Sequence, residues 1–442
     1  MKRYSFVKKV PSKEVIPTLK KSILVDGFHF VINLEKSKGS YMRSALDGKD
    51  YLDMYTYFST LPIGHNHPKL QDNDFLHELA MVAKENPANS DVYTQEFARF
   101  TETFTRFARP THMKHIFFIT GGALAVENAL KTAFDWKVRK NFAAGEKKEL
   151  GHKVIHFKES FHGRSGYTLS LTNTSDTKTK YFPKFDWPRI DNPKLYFPIS
   201  KDVLADVERR EKQSIEQINA AIKNNPKDIA CLIIEPIQGE GGDNHFRKEF
   251  LQELENICRK NNIMFILDEI QTGFGTTGKM WAFEHFGIKP DIIAFGKKAQ
   301  VCGIMASSRV DEVKNNVFQE SSRINSTWGG SLADMVHGRR ILEIIVEDKL
   351  IQNAAQVGEY FIKRLNELAE KHEEITNVRG RGCFVAFEMP TEKTRDKLNE
   401  ACWKNGLAVL KSWPKSMRFR PPLTISKKEI DEAIEKLDKS FR

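Results

Sequence analysis

The chain has 442 residues, of which 40% are apolar, 29% charged and 11% aromatic, a composition that excludes a disordered tail, a collagen-like fibre and a disulfide-stapled small domain. At roughly 150 residues per domain, this length predicts two to three domains. The 69 lysine and arginine residues exceed the 58 aspartate and glutamate residues by 11, but they form no long basic run and no nucleic-acid motif, so the excess fits a lysine-rich surface or anionic small-molecule substrates.

The start and the middle of the sequence show different patterns. Near the start, YMRSALDGKDYLDM (41–54) predicts a β-hairpin whose turn contains Asp47 and Gly48. From about residue 114, short apolar runs alternate with helical patterns, which is typical of a mostly parallel sheet covered by helices on both faces. The predicted strands of this sheet lie near residues 115–120, 153–160, 229–236, 262–269, 291–298 and 303–310.

The last part of the chain returns to a smaller α+β pattern. Two long helical patterns run from Trp328 to about Lys371, and alternating strand and helix patterns then complete the chain. Both chain ends differ from the middle of the sequence in that they lack its regular alternation of apolar strands and helices. We therefore expect them to join in one small α+β domain beside a large α/β domain. The predicted boundaries are 1–70 and 329–442 for the small domain and 71–328 for the large domain.

The cysteines and the N-terminus indicate where the protein is located, and the cysteines and histidines indicate whether it binds a metal. The five cysteines are odd in number, widely spread and never in a C-x-x-C pair, which predicts neither a zinc site nor a redox pair and favours the reducing cytoplasm. No run approaches the ~18 apolar residues of a membrane span, and the N-terminus has no apolar signal region. His65 and His67 form a candidate metal pair, but no third ligand is evident, so no metal site is predicted.

Polar or glycine-rich groups follow five of the predicted strands, at the edge where an open parallel sheet binds ligands. Gly122 and Ala123 open a helix and offer free backbone N–H groups to one phosphate, without the pattern of a dinucleotide or triphosphate site. Each group alone has an ordinary explanation as a tight turn, a helix cap or a surface lysine, whereas their joint occurrence indicates one site. The groups are Gly121–Ala123, Phe161–Arg164, Ile237–Gly242, Asp268 to Thr272 and Gly296–Lys298.

A carboxylate, a lysine at a neighbouring strand end, a phosphate cup and an aromatic ring are together the groups that bind pyridoxal 5'-phosphate. One lysine of the pair Lys297 and Lys298 would form a Schiff base with the aldehyde. A carboxylate such as Asp268 would keep the pyridine nitrogen protonated, so that the ring accepts the electrons left when the substrate loses a proton. The displaced lysine would then move that proton between the two reacting carbons.

Several segments resemble the signatures of class III (subgroup II) aminotransferases, in family order and over essentially the whole chain. The longest is ILDEIQTGFGTTGKMWAFEHFGIKPDIIAFGKK (266–298). The others are GHNHP (64–68), TGGALAVENALK (120–131), FHGRSGYTLSLT (161–172), IIEPIQGEGGD (233–243) and RFRPP (418–422). The resemblance implies pyridoxal-phosphate-dependent transferase fold type I and a homodimer whose active sites lie at the subunit interface.

The resemblance also implies roles for individual residues. Lys297, the first of the lysine pair, matches the Schiff-base lysine, and Asp268 faces the pyridinium nitrogen. Gln271 lies near the ring hydroxyl and the substrate. The other implied cofactor contacts are the backbone N–H groups of Gly122 and Ala123 at the phosphate, Thr327 at the phosphate of the neighbouring subunit, Phe161 on the ring, where many relatives carry Tyr, and His162 beside it.

Transamination requires one pocket to accept two different molecules in turn. Within the family, segments such as EPIQGEGGDNHF (235–246) most resemble lysine 6-aminotransferases, which implies that L-lysine gives its ε-amino group to 2-oxoglutarate. Arg418 would then bind the α-carboxylate of 2-oxoglutarate with a bidentate pair. Glu240 would cover this arginine during the amine half-reaction, because an unpaired buried charge is costly, and swing away for the keto acid. Arg164 would hold the distal carboxylate of either substrate.

Other functions remain open at this stage. A 4-aminobutyrate or ornithine aminotransferase would use the same residues, because the choice of chain length depends on pocket-shape differences of often only ~1–3 kcal/mol per methylene. A racemase or mutase is disfavoured, since Glu240 and Arg418 would then serve little purpose. From another class, a cofactor-free nucleic-acid-binding protein would exploit the positive charge, purify colourless and lose affinity steeply as salt rises.

Overall fold

A computed structural model of the chain describes residues 9–442, so residues 1–8 of the predicted segment 1–70 lie outside the described part. The strands of this part, in chain order, are β1 (Tyr41–Arg43), β2 (Asp50–Asp53), β3 (Met113–Ile119), β4 (Lys153–Phe157), β5 (Arg189–Ile190), β6 (Ile229–Ile234), β7 (Ile237–Gln238), β8 (Asn244–His245), β9 (Met264–Asp268), β10 (Ile292–Phe295), β11 (Cys302–Ser307), β12 (Thr376–Arg381), β13 (Phe384–Glu388), β14 (Leu407–Ala408), β15 (Leu410–Ser412) and β16 (Ser416–Phe419).

Right-handed helices connect and cover these strands, and one left-handed turn at Thr56–Ser59 stands apart from them. The helices are α1 (Val15–Lys20), α2 (Asn73–Glu85), α3 (Gln95–Phe107), α4 (Gly122–Ala143), α5 (Gly166–Leu171), α6 (Asp176–Thr179), α7 (Lys201–Asn224), α8 (Lys248–Lys260), α9 (Leu332–Glu347), α10 (Leu350–Ala369), α11 (Glu392–Lys404) and α12 (Lys427–Lys439). None of the described helices is long and apolar enough to cross a bilayer.

Seven strands form the central sheet, in the order β3-β11-β10-β9-β6-β4-β5. β11 runs antiparallel to both of its neighbours, and the remaining pairs are parallel. Strands β6, β9 and β10 are buried along their whole length, as expected for apolar runs in a sheet covered on both faces. The predicted mostly parallel sheet of an α/β domain is therefore confirmed.

Alternation along these strands divides the core between two layers of helices. On one face, Leu232 and Phe265 pack in the same cluster as Phe250 of α8. On the other face, Ile233 and Ile266 pack with the small and aromatic side chains of α4. Successive side chains of a strand point to opposite faces, so each strand contributes to both cores at once.

The two chain ends meet in smaller sheets. The predicted hairpin is confirmed, because β1 pairs antiparallel with β2 across a turn in which Gly48 has a φ of +71°. Leu52 of β2 then pairs in parallel with Leu407 of β14, which joins the beginning and the end of the chain. A second antiparallel sheet has the order β12-β13-β16-β15. This pairing supports the proposed small domain.

Helix α9 connects the central sheet to the part of the fold built from the chain ends. Its Leu332 and Met335 belong to the hydrophobic core around the central sheet. Its Ile341 and Ile345 belong to the core under the smaller antiparallel sheet. The helix thus packs in both cores, and the proposed boundary at 328/329 lies just before it.

Candidate active site

A cavity of about 640 Å³ lies at the carboxyl ends of the central parallel strands. Ten of the eleven site residues predicted from the sequence line it. They are Gly122, Ala123, Phe161, His162, Arg164, Glu240, Asp268, Gln271, Lys297 and Arg418. Thr327 does not line this cavity and is exposed in the loop before α9, so its assignment to the neighbouring subunit stays a prediction.

Asp268 is the last residue of β9 and presents a fixed carboxylate to the cavity. Its Oδ2 lies 2.8 Å from Nδ1 of His162, and its Oδ1 accepts the backbone N–H of Ile270 at 3.1 Å. Both side chains are buried, and Nε2 of His162 has no hydrogen-bond partner among the described residues. A carboxylate held in this way is the group that a protonated pyridine nitrogen requires.

Lys297 follows β10 and has a φ of +48°, an uncommon conformation for a residue other than glycine that often marks a functional site. Its Nζ donates a hydrogen bond to the backbone oxygen of Phe58 at 3.2 Å. Desolvation, followed by the positive charge of Arg418, lowers the pKa of Lys297 to about 8. A lysine with such a pKa loses its proton readily and becomes a nucleophile.

Lys298 points away from the cavity. Its side chain is only 2% exposed, and its Nζ donates to the backbone oxygen of Gln271 at 2.7 Å. Burial and the charge of Lys297 lower the pKa of Lys298 well below its ordinary value. The geometry therefore favours the first lysine of the pair, as proposed.

The backbone oxygen that contacts Lys297 belongs to the left-handed turn Thr56–Ser59, whose four residues have φ values of 44°, 50°, 60° and 72°. Left-handed backbone costs L-residues roughly 1–2 kcal/mol each, so the surroundings must hold the turn. Asp53 does so by accepting the backbone N–H of Thr56 at 2.7 Å. His65 in turn contacts Asp53 at 2.9 Å, whereas His67 lies near another carboxylate, so the two histidines do not converge.

The first turn of α4 lies at the cavity, and its backbone N–H groups have no partner within the helix. The helix begins at Gly122 after Gly121, whose φ is +98° and which carries no side chain to cap the helix. The loop that carries Phe161 packs directly on this turn, because a Cβ at Gly163 would lie 2.6 Å from that of Ala123. Free N–H groups and the positive end of a 22-residue helix fit a phosphate group.

Arg418 on β16 is the buried cation of the cavity, with its side chain 2% exposed. Its Nη2 lies 2.8 Å from Oε2 of Glu240, whose Oε1 lies 2.5 Å from Nζ of Lys178. Burial would raise the pKa of Glu240, but the charges of Arg418 and Lys178 hold that pKa below its ordinary value. Glu240 is thus an ionised carboxylate between two cations.

Gln271 is held by a second arginine that sequence reasoning did not assign. Arg420 forms a bidentate pair with Asp243, at 2.8 and 2.7 Å, and donates to Oε1 of Gln271 at 2.9 Å. On its other side the Gln271 amide lies against Gly239, where a Cβ would be 2.5 Å from Oε1. Of the two arginines in RFRPP, Arg418 lines the cavity and Arg420 fixes the amide beside it.

Further cavity residues were not assigned from the sequence. Phe58 and Lys178 line the cavity, and neither carried a pattern that could have marked it. Glu235 directly follows β6, and Asp268 is the last residue of β9, so the position of Glu235 at a strand end was a usable signal. Its carboxylate accepts the backbone N–H groups of Phe161 and Gly239 at 3.0 and 2.9 Å, and burial raises its pKa.

The donor set fits pyridoxal 5'-phosphate: a fixed carboxylate, an amine of lowered pKa, an uncapped helix start and an aromatic ring surround one cavity. Residues 24–441 match the family model of class III aminotransferases. The L-lysine-epsilon aminotransferase of Mycobacterium tuberculosis is 50% identical over 418 residues, which is 94% of this chain and 92% of that protein. The enzyme of the same description from Streptomyces clavuligerus is 44% identical over 441 residues, 99% and 96% of the two chains.

A solved structure shares the fold over nearly the full length. The lysine aminotransferase from M. tuberculosis in the internal aldimine form superposes with a TM-score of 0.95 and 48% identity, covering 97% of this chain and 98% of that one. The predicted fold type I is confirmed by this match. The chain is a transaminase of the class III aminotransferase family, and its cofactor is pyridoxal 5'-phosphate.

Proposed function

We propose that the enzyme transfers the ε-amino group of L-lysine to 2-oxoglutarate by a ping-pong mechanism, giving 2-aminoadipate 6-semialdehyde and L-glutamate. The observation that carries the proposal is a buried arginine, Arg418, that is covered by a carboxylate in the same cavity as Arg164. The choice of lysine is supported by the relatives of 50% and 44% identity, which are described as lysine aminotransferases.

When bound, pyridoxal phosphate supplies an aldehyde that condenses with amino groups and a protonated ring that accepts electrons. Lys297 would hold the aldehyde carbon and afterwards carry a proton between the two reacting carbons, a task suited to its lowered pKa. Asp268, oriented by His162, would hold the ring nitrogen. Gly122 and Ala123 would bind the phosphate through their backbone N–H groups.

Arg418 would have a different anionic partner with each of the two substrates. The ε-amino end of lysine carries no carboxylate, so Glu240 would keep Arg418 paired while Arg164 binds the distant α-carboxylate. The α-carboxylate of 2-oxoglutarate must instead replace Glu240 on Arg418, with the γ-carboxylate on Arg164. Nε and Nη1 of Arg418 have no hydrogen-bond partner among the described residues, which leaves donors for an incoming carboxylate.

A substrate screen tests the proposal. Purified holoenzyme with 2-oxoglutarate is given L-lysine, 4-aminobutyrate or L-ornithine, and glutamate is measured. We expect the highest kcat/KM with L-lysine, and turnover by the Lys297→Ala variant to be lowered by at least about a hundredfold with every donor. Glutamate formation from 4-aminobutyrate or ornithine, with none from lysine, would contradict the choice of donor and leave the transaminase assignment in place.

We also propose a homodimer in which Thr327 reaches the phosphate of the neighbouring subunit. The proposal is supported by the exposure of Thr327 and of the adjacent Trp328, whose side chain is 48% exposed in a loop outside the cavity. Sedimentation of the holoenzyme tests it: a species of twice the chain mass is expected, and a monomer with full activity would overturn it. The cytoplasmic location stays a prediction from the cysteine pattern.

A further inference from the structure

Glu240 is held by two cations on two different oxygens. Arg418 contacts Oε2 at 2.8 Å, and Lys178 contacts Oε1 at 2.5 Å. The reaction proposed above requires Glu240 to leave Arg418 when a keto acid arrives. Lys178 has no role in the reaction as described so far.

Lys178 has anchors that do not depend on Glu240. It lies on the short helix α6, and its Nζ is 3.3 Å from the hydroxyl oxygen of Thr174. The same Nζ lies 5.2 Å from the centre of the Phe161 ring, within the range of a cation–π contact. The ammonium group therefore has a defined place beside the cavity, whether Glu240 is on Arg418 or not.

The contact with Lys178 lowers the free energy needed to release Glu240 from Arg418. The Glu240 side chain is only 26% exposed, so leaving Arg418 without another cation would strand a partly buried charge. With Lys178 bound to Oε1, release breaks the contact at Oε2 and keeps the other. The two cations also repel each other less once the substrate carboxylate neutralises Arg418.

We propose that Lys178 is a positioning residue that holds Glu240 when it leaves Arg418, and that it thereby sets the affinity of the enzyme for dicarboxylic keto acids. This inference rests on the proposed alternation of Glu240 and substrate at Arg418. Lys178 acts through Glu240 and does not itself contact the substrate. Its removal should therefore impair the keto acid half-reaction and spare the amine half-reaction.

The first test compares Lys178→Met with Lys178→Arg and with Lys180→Met. Lys180 is a matched control, because it lies two residues further on, is exposed, and places its Nζ 4.9 Å from the centre of the Tyr181 ring. Two quantities are measured on holoenzyme: the Michaelis constant for the keto acid in its isolated half-reaction, and the equilibrium Kd of glutarate, a dicarboxylate that cannot react. Melting temperatures confirm that each variant is folded.

We expect Lys178→Met to raise both quantities about five- to tenfold, the loss typical of one intramolecular hydrogen bond. The amine half-reaction should change less than about twofold, and Lys178→Arg and Lys180→Met should stay near the parent enzyme. Equal losses in both half-reactions, or an unchanged Kd of glutarate, would overturn the proposal.

A double-mutant cycle separates this role from direct substrate binding. In a Glu240→Ala background, Lys178→Met should cause no further change in the Kd of glutarate, because nothing is left for the lysine to hold. A further loss there would mean that Lys178 binds the dicarboxylate itself, and would refute the proposal. The glutarate measurement requires no amino donor, so it stays valid even if lysine proves not to be the substrate.

Discussion

Arg418 is only partly paired by Glu240. Nη2 of its guanidinium lies 2.8 Å from Oε2 of the carboxylate, while its Nε and Nη1 have no hydrogen-bond partner among the described residues. A buried guanidinium offers five N–H donors, so a single carboxylate contact leaves room for a better ligand. A keto acid can supply a bidentate carboxylate, whereas a terminal amine cannot. The pair thus suits a cavity that alternates between these two kinds of substrate.

Replacing Glu240 should separate the two half-reactions. Glu240→Gln keeps the shape and removes the charge, so Arg418 stays unneutralised only when the amine is bound. We expect the single-turnover rate with lysine to fall about 10- to 100-fold and the rate with glutamate to fall much less. Equal losses in both half-reactions would remove the argument for a switch at Glu240.

Replacing Arg418 and replacing Arg164 should affect the two half-reactions differently. Arg418→Met removes the partner of the α-carboxylate, so the half-reaction with 2-oxoglutarate or glutamate should slow by about 100-fold, more than that with lysine. Arg164→Met removes the partner of the distal carboxylate, which both substrates carry, so both KM values should rise. Separate single-turnover measurements check this, and a larger lysine loss in Arg418→Met would contradict it.

The residues at strand ends could be predicted because parallel strands bring their carboxyl ends to one edge of a sheet. Asp268, Lys297 and the first turn of α4 were found in this way, and all line one cavity. Arg164 belongs to the group that follows β4, but its position at a strand end did not indicate a role in binding carboxylates. Arg418 lies in the sheet of the chain ends and carries no such signal. The roles of both arginines were indicated only by the resemblance to a family.

Phe58 and Lys178 could not be predicted, for two physical reasons. Phe58 reaches Lys297 through a left-handed turn of four residues other than glycine, a conformation that their side chains disfavour and that distant contacts must impose. Lys178 lies in a polar segment without periodicity, where its meeting with Glu240, 62 residues away, is set by the packing of the whole domain. Both contacts depend on residues that are distant in the chain, so the neighbouring sequence does not predict them.

The lysine pair offers a matched comparison. Lys297→Met should abolish the covalent attachment of the cofactor and lower turnover by about a hundred- to ten-thousand-fold, because the catalytic base is lost. Lys298→Met should keep the attachment, since Lys298 binds the backbone of Gln271 outside the cavity. Borohydride reduction followed by peptide mass spectrometry identifies the modified lysine. A fixed adduct on Lys298 would reverse the assignment.

Cofactor capture by the apoenzyme should depend on pH. Desolvation and the charge of Arg418 lower the pKa of Lys297 to about 8, so the reactive neutral amine is the minor form at pH 7 and the major form at pH 9. We expect the rate of covalent capture to rise roughly tenfold over this interval. The Lys297→Met variant should bind the cofactor without this dependence. A midpoint near the ordinary lysine pKa would contradict the lowered value.

Isotope-labelled lysine shows directly which of its two amino groups reaches glutamate. Holoenzyme with 2-oxoglutarate is given L-lysine carrying nitrogen-15 at either the ε- or the α-position, and the glutamate formed is analysed by mass spectrometry. We expect labelled glutamate from the ε-labelled substrate alone. Label from the α-position, or no labelled glutamate from lysine while 4-aminobutyrate is consumed, would contradict it.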